Sequence, residues 1–155
     1  MSVTLLKDVL IEKNKLDSYF VGSVPINLWR AVKKKSGNSV FDFIEAGFVL
    51  SNGRPRAADI TIESRGEIKW VCVKERPRGL STFDKEGLPK GKNWEYYKIP
   101  KGTTLPEGLA IVKDEYNDRY DATHYTIAPV SDMPLDQFKG WLDRLLKNIA
   151  KDVAV

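Results

Sequence analysis

Cysteine and histidine are nearly absent from this chain of 155 residues, which has one of each, Cys72 and His124. A single thiol excludes an intrachain disulfide and a cysteine metal cluster, and one imidazole beside it excludes a zinc site of the usual kind. No apolar run approaches the ~20 residues that cross a bilayer as a helix, so no membrane partner is expected. The N-terminus has no basic lead-in, and Lys7 and Asp8 interrupt its apolar stretch. A cleaved secretory signal is therefore not expected, and export would need machinery that accepts signal-less cargo. Glycine-rich phosphate loops, repeats and low-complexity tracts are also missing. Charge is modest at a net +4, which suits an anionic ligand but falls short of the dense basic stripe of a nucleic-acid binder. What is present, 42% hydrophobic and 30% charged residues, fits one soluble globular domain over residues 1–155.

Periodicity divides the chain into short elements. In residues 4–19, Leu5, Leu6, Val9, Leu10 and Leu16 recur mostly at helical spacing and predict a short polar helix. Residues 28–32 predict an apolar strand with Arg30 at its centre, followed by a solvated loop from Lys33 through Lys35 to Asn38. Residues 39–50 read as a short helix entering a strand, and residues 51–55 as a turn. Alternation in 59–63 and 67–73 around Ser64-Arg65-Gly66 predicts an antiparallel hairpin. Strands are expected at 80–83, 94–99 and 109–112, with 114–119 as a polar connection. The chain closes on an amphipathic helix whose stripe is Leu135, Phe138, Trp141, Leu142, Leu145, Leu146 and Ile149, with Asp132 available as a cap and Pro134 in the first turn.

Residues 121–129 hold the histidine. Alternation places Thr123, Tyr125 and Ile127 on one face and Ala122, His124, Thr126 and Ala128 on the other. His124 thus has small neighbours along its own face, leaving room for a ligand or for a bulky residue from the next strand. It is either a hydrogen-bonded structural residue or part of a site.

Several residues could act with it. Arg30 in an apolar strand calls for an anion, either an internal carboxylate such as Asp59 or Asp42, or a ligand. Arg56 is a second guanidinium that could grip a pyrophosphate. Ser81 and Thr82 offer hydroxyls that serve either the backbone or a ligand. Ser81, Asp84 and His124 can be written as a nucleophilic triad, but the Gly-x-Ser-x-Gly elbow is absent. Trp94, Tyr96 and Tyr97, interleaved with Lys90 and Lys92, could stack on a nucleobase.

Short motifs in a fixed order carry a resemblance to a family: Leu28-Trp29-Arg30-Ala31-Val32, Pro55-Arg56-Ala57-Ala58-Asp59-Ile60, Gly79-Leu80-Ser81-Thr82-Phe83-Asp84, Ile99-Pro100-Lys101-Gly102-Thr103, and Asp114-Glu115-Tyr116-Asn117-Asp118-Arg119 running into Ala122-Thr123-His124-Tyr125-Thr126-Ile127. Over residues 28–133 the chain resembles the second-effector ("Tse-two") toxins of bacterial type VI secretion, with residues 1–24 as a helical extension. The resemblance implies an α+β, ADP-ribosyltransferase-like fold of two packed, mainly antiparallel sheets with flanking helices. It implies NAD as substrate, with Arg30 and Arg56 on its phosphates, Ser81 and Thr82 on the nicotinamide-side ribose, and His124 bonding a ribose hydroxyl or relaying a proton. The Glu-x-Glu pair of arginine-serine-glutamate transferases is absent, and His124 takes the corresponding late strand. Also implied are a cognate immunity protein, the secretion machinery, an unidentified macromolecular target and action in the target-cell cytoplasm after synthesis in the producer's. The alternative is a toxin of this fold that binds or cuts nucleic acid or a nucleotide without NAD.

Overall fold

The computed structural model describes residues 3–34, 40–43 and 45–153. Helix α1 (Leu6–Glu12) and a 3-10 turn (Leu16–Ser18) lead to strands β1 (Tyr19–Phe20), β2 (Leu28–Lys33), β3 (Phe48–Val49), β4 (Pro55–Arg56), β5 (Ile62–Arg65), β6 (Ile68–Val71), β7 (Leu80–Phe83), β8 (Trp94–Ile99), β9 (Leu109–Asn117), β10 (Ala122–Pro129) and β11 (Met133–Pro134), and helix α2 (Leu135–Val153) closes the chain. The strands form a six-stranded sheet in the order β1-β9-β10-β7-β2-β8, a three-stranded sheet β11-β6-β5 and the pair β3-β4. Every pairing is antiparallel. The α+β class is as expected, but two sheets were anticipated and the described residues hold three. The third arises because the turn at Gly53, where φ is +83°, folds Val49 back onto Pro55 as a separate hairpin. The described part of residues 39–50 holds no helix, and of the loop expected from Lys33 to Asn38, Lys33 instead ends β2 while Lys35 to Asn38 lie outside the described residues.

The main core lies on one face of the six-stranded sheet, where Leu28, Leu80, Ile111, Tyr125 and Ile127 meet Val71 and the stripe Leu135, Phe138, Leu142 and Leu145 of α2. Each such side chain, fully buried, contributes on the order of 1.5–3 kcal/mol. The helix is as predicted with three differences. Leu146 falls outside the buried stripe, and Asp132 is no cap. Its buried carboxylate instead accepts from the amides of Val73 and Thr4 and from Arg65, binding three separated segments. Pro134 sits in β11 rather than in the helix.

The opposite face has a smaller core, in which Leu6 and Leu10 of α1 cover Ala110, Val112 and Ala128. Only residues 6–12 of the anticipated helix over 4–19 are α-helical, and Tyr19 and Phe20 instead pair with Val112 and Ile111. Residues 1–24, expected as an appendage, therefore supply an edge strand and a buried helix face. Cover by α1 ends at the Ala128 end of β10. The His124 end of the same face is left to form one wall of a cleft.

Candidate functional site

Strand β7 supplies that wall together with β10. Phe83 pairs with His124 and Ser81 with Thr126, and residues directly opposed in an antiparallel pair project to the same side. Ser81, Phe83, His124 and Thr126 thus share the cleft face. Thr82 does not. It points into the core, is 1% exposed, and donates its hydroxyl to the carbonyl of Tyr125 at 2.9 Å. The expectation of a ribose contact from Thr82 is corrected accordingly: alternation sends its side chain away from the cleft.

His124 is 28% exposed at the side chain, and its Nδ1 lies 2.7 Å from Asp114 Oδ2. That contact depends on an irregularity between strands. Thr123 pairs with Tyr116 but Tyr125 pairs with Lys113, so the single residue His124 stands opposite both Asp114 and Glu115. This is a β-bulge, and it re-aims the extra side chain of β9. The same Asp114 oxygen accepts the hydroxyl of Thr126. A carboxylate has no proton to give, so Nδ1 is the donor, which leaves Nε2 without a hydrogen bond among the described residues. Phe83 meets the imidazole in an edge-to-face arrangement with ring centroids 5.3 Å apart, and it makes a second such contact with the ring of Tyr120 at 5.7 Å. The room foreseen beside His124 is thus occupied in part by a bulky residue from the adjacent strand. The triad of Ser81, Asp84 and His124 is not formed, because Asp84 accepts from the Thr123 amide at 2.9 Å and the histidine's carboxylate is Asp114.

The two arginines stand on the other side of Ser81. Strands β2 and β7 are bridged at Trp29 and Phe83, and beyond that bridge Arg30 spans them. Its Nε donates to the Val40 carbonyl at 3.0 Å, one terminal nitrogen to that of Ser81 at 3.0 Å and the other to that of Asp42 at 2.7 Å. Burial lowers its pKa, and Asp59 and Asp42 act against that shift. These hydrogen bonds go to main-chain carbonyls rather than to a carboxylate, which was one of the two alternatives for Arg30, and they make Arg30 a brace for the 40–43 segment. Arg56 pairs with Asp59 at 2.9 Å and also donates to the carbonyl of Ala57.

Two cavities adjoin along Arg56, Asp59, Ser81 and Phe83. The first, about 600 Å³, sets the aromatic side chains of Phe43, Phe48, Trp94 and Tyr120 beside Arg30. The second, about 960 Å³, holds His124, Asp114 and Thr126, with Arg76, Arg78 and Arg119 around them. Of the aromatics expected as a stacking platform, Trp94 lines the cleft. Tyr96 bonds the Pro89 carbonyl and Tyr97 bonds Glu95.

Comparison with known proteins agrees with this chain-wide pattern, since the profile of the Tse2 ADP-ribosyltransferase toxin family matches residues 8–153. The chain belongs to that family. Toxin Tse2 of Pseudomonas aeruginosa strain PAO1 is 39% identical over 70 residues, a stretch that is 45% of this chain and 44% of that protein. The aligned stretch thus spans less than half of that relative's length. The family match also begins well before residue 28, taking in most of α1 and all of β1.

In this Tse2-family chain, Arg30, Arg56 and Ser81 of the residues singled out from sequence line the first cavity, and Arg56, Ser81 and His124 the second; Asp114, Phe83 and Tyr120 were not among the site residues named. Alternation with Ser81 was available as a signal for Phe83. Nothing local marked Asp114, because its placement is set by a bulge against another strand.

Proposed function

We propose that this chain is an antibacterial toxin that takes NAD as substrate and breaks its nicotinamide–ribose bond, passing ADP-ribose to a macromolecule or to water. The observation that carries this reading is the two-lobed cleft, in which an aromatic lobe and a polar lobe meet at Ser81. A dinucleotide has that division: planar rings suit Phe48 and Trp94, and ribose hydroxyls and phosphates suit Ser81, His124 and the surrounding arginines. Bond breaking develops oxocarbenium character on the ribose, and the site contributes orientation and negative potential there. Arg56, exposed at the junction of the lobes, is the better placed of the two arginines to reach a phosphate. Arg30 acts on the ligand through the segment it braces. The whole chain is one functional domain. It is exported by type VI secretion, held in check by an immunity protein in the producer and active in the target cytoplasm. Purified protein incubated with NAD should release nicotinamide, and labelled NAD with a target-cell lysate should label a macromolecule. Neither signal from protein that still arrests growth would refute the reading.

A second reading is favoured by Arg76, Arg78, Lys113 and Arg119 around the polar lobe: attack on nucleic acid or a nucleotide without NAD. Binding that falls steeply with salt and ignores added NAD would select it.

A further inference from the structure

We infer that Asp114 is the positioning residue of His124: carried onto the cleft face by the β9 bulge, its carboxylate holds the imidazole with Nε2 ready to take the proton of the group that attacks the ribose. The reaction rests on the NAD reading above; the pairing rests on geometry alone. At 2.7 Å the Nδ1–Oδ2 contact is in the range of a charge-assisted bond. Thr126 donates to the same oxygen and so restrains the carboxylate, while Phe83 meets the imidazole edge to face. Both partners stay partly open, at 28% and 34% exposure of their side chains, and both line the polar lobe. Open pairs of this kind add little to folding stability, and a bulge interrupts the ladder that surrounds it. The arrangement therefore serves the cleft better than it serves the fold.

With Nδ1 as donor to Asp114, the neutral ring presents the Nε2 lone pair. The hydroxyl or amine of the acceptor, or water, attacks C1′ of the nicotinamide-side ribose. The C1′–N bond breaks, its electron pair neutralises the pyridinium nitrogen, and nicotinamide leaves. The proton of the nucleophile passes to Nε2, and Asp114 stabilises the imidazolium that results.

The test uses the full chain and the advantage of its single histidine, whose ring ¹⁵N signals need no assignment against others. In the neutral wild-type ring the proton should sit on Nδ1, and in Asp114→Asn, whose amide can donate to the ring, on Nε2. The variant should lose about a hundredfold or more in kcat for nicotinamide release, the scale of a general base. Its KM for NAD should stay near the wild-type value, and Asp114→Glu should recover part of the loss. Wild-type kcat in a folded Asp114→Asn chain, or a wild-type ring protonated on Nε2, would overturn the assignment. A wild-type chain that neither releases nicotinamide nor labels a macromolecule in a target-cell lysate would end the NAD reading instead. Asp114 would then be judged by growth arrest in cells: loss in the folded variant supports its role, and retention overturns it.

Discussion

Ser81 and Thr82 are neighbours in β7 with opposite attachments: Ser81 faces the cleft across from Thr126, while Thr82 is sealed in the core against the carbonyl of Tyr125. Substitution should separate them. Ser81→Ala is expected to abolish growth arrest while leaving the denaturation midpoint within experimental error, since an exposed hydroxyl contributes little to stability. Thr82→Val keeps the volume but removes a buried hydroxyl bond, costing about 1–2 kcal/mol without direct loss of the site. Urea denaturation beside a toxicity assay measures both. Equal toxicity defects with equal stability losses would contradict the assignment of faces.

Arg30 bridges Val40, Asp42 and Ser81 through three main-chain carbonyls, a pattern that requires the planar fork of a guanidinium. Arg30→Lys retains the charge but cannot span these acceptors, so the variant should lose about 1.5–3 kcal/mol, the worth of a charged hydrogen bond. Thermal unfolding would register the loss, and faster proteolysis within residues 40–50 would accompany it. Normal stability with weakened NAD binding would instead make Arg30 a direct ligand contact.

The strands that sequence reasoning located well, β2, β7 and β8, were marked by local composition, an apolar run in β2 and aromatic residues in β8, which needs no partner to be seen. Alternation placed His124 and Thr126 on a common face. It could not say which of Ser81 and Thr82 faced the cleft, because their apolar neighbours Leu80 and Phe83 lie on opposite faces: Leu80 enters the core and Phe83 walls the site. The polar half of β9 was invisible for a related reason. Lys113 to Asn117 join the sheet through their backbones, while several of their side chains remain in water, so composition there resembles a loop. Asp114 emerges as the partner of His124 only when two strands are paired with a bulge, which is information no single segment contains.

Gly79 precedes β7 at a point where a Cβ would lie 2.0 Å from the carbonyl oxygen of Ile127. The obstacle is backbone of the histidine strand, so Gly79→Ala must push β7 away from β10 rather than displace a flexible side chain. Strain of this kind costs about 1–3 kcal/mol. Loss of growth arrest should accompany it, because Ser81 moves with its strand. An alanine variant with wild-type stability and activity would show that β7 is free to shift.

Cys72 is buried and its Sγ is 2.9 Å from Glu63, itself bonded to Lys74. Burial first, and the neighbouring Glu63 second, push the thiol up to about 11, while the bond from Cys72 and the pairing with Lys74 hold Glu63 down to about 2. The thiolate is therefore scarce at pH 8, and alkylation by iodoacetamide should be far slower than for a free thiol until denaturant is added. Rapid modification of the native chain would mean that the segment after β6 opens readily.

Asp132 ties Thr4, Arg65 and Val73 together with bonds of 3.2, 2.7 and 2.7 Å. Burial alone would raise its carboxyl, but the amide of Val73, the guanidinium of Arg65 and the amide of Thr4 outweigh that effect and leave it below the ordinary carboxylate value. A carboxyl with a depressed native pKa stabilises the fold fully above its unfolded value of about 3.9, and that contribution fades as pH falls toward the native value. Asp132→Asn should therefore cost about 3 kcal/mol at pH 7, where it leaves Arg65 with only the longer pairing to Glu63 at 3.7 Å. The gap between variant and wild type should narrow progressively below about pH 4, where the wild-type carboxylate begins to be protonated on unfolding. Denaturant titrations of both proteins from pH 3 to 7 measure it, and a gap that stays constant across that range would show that the charge of Asp132 contributes nothing to holding the N-terminus and the β5–β6 hairpin together.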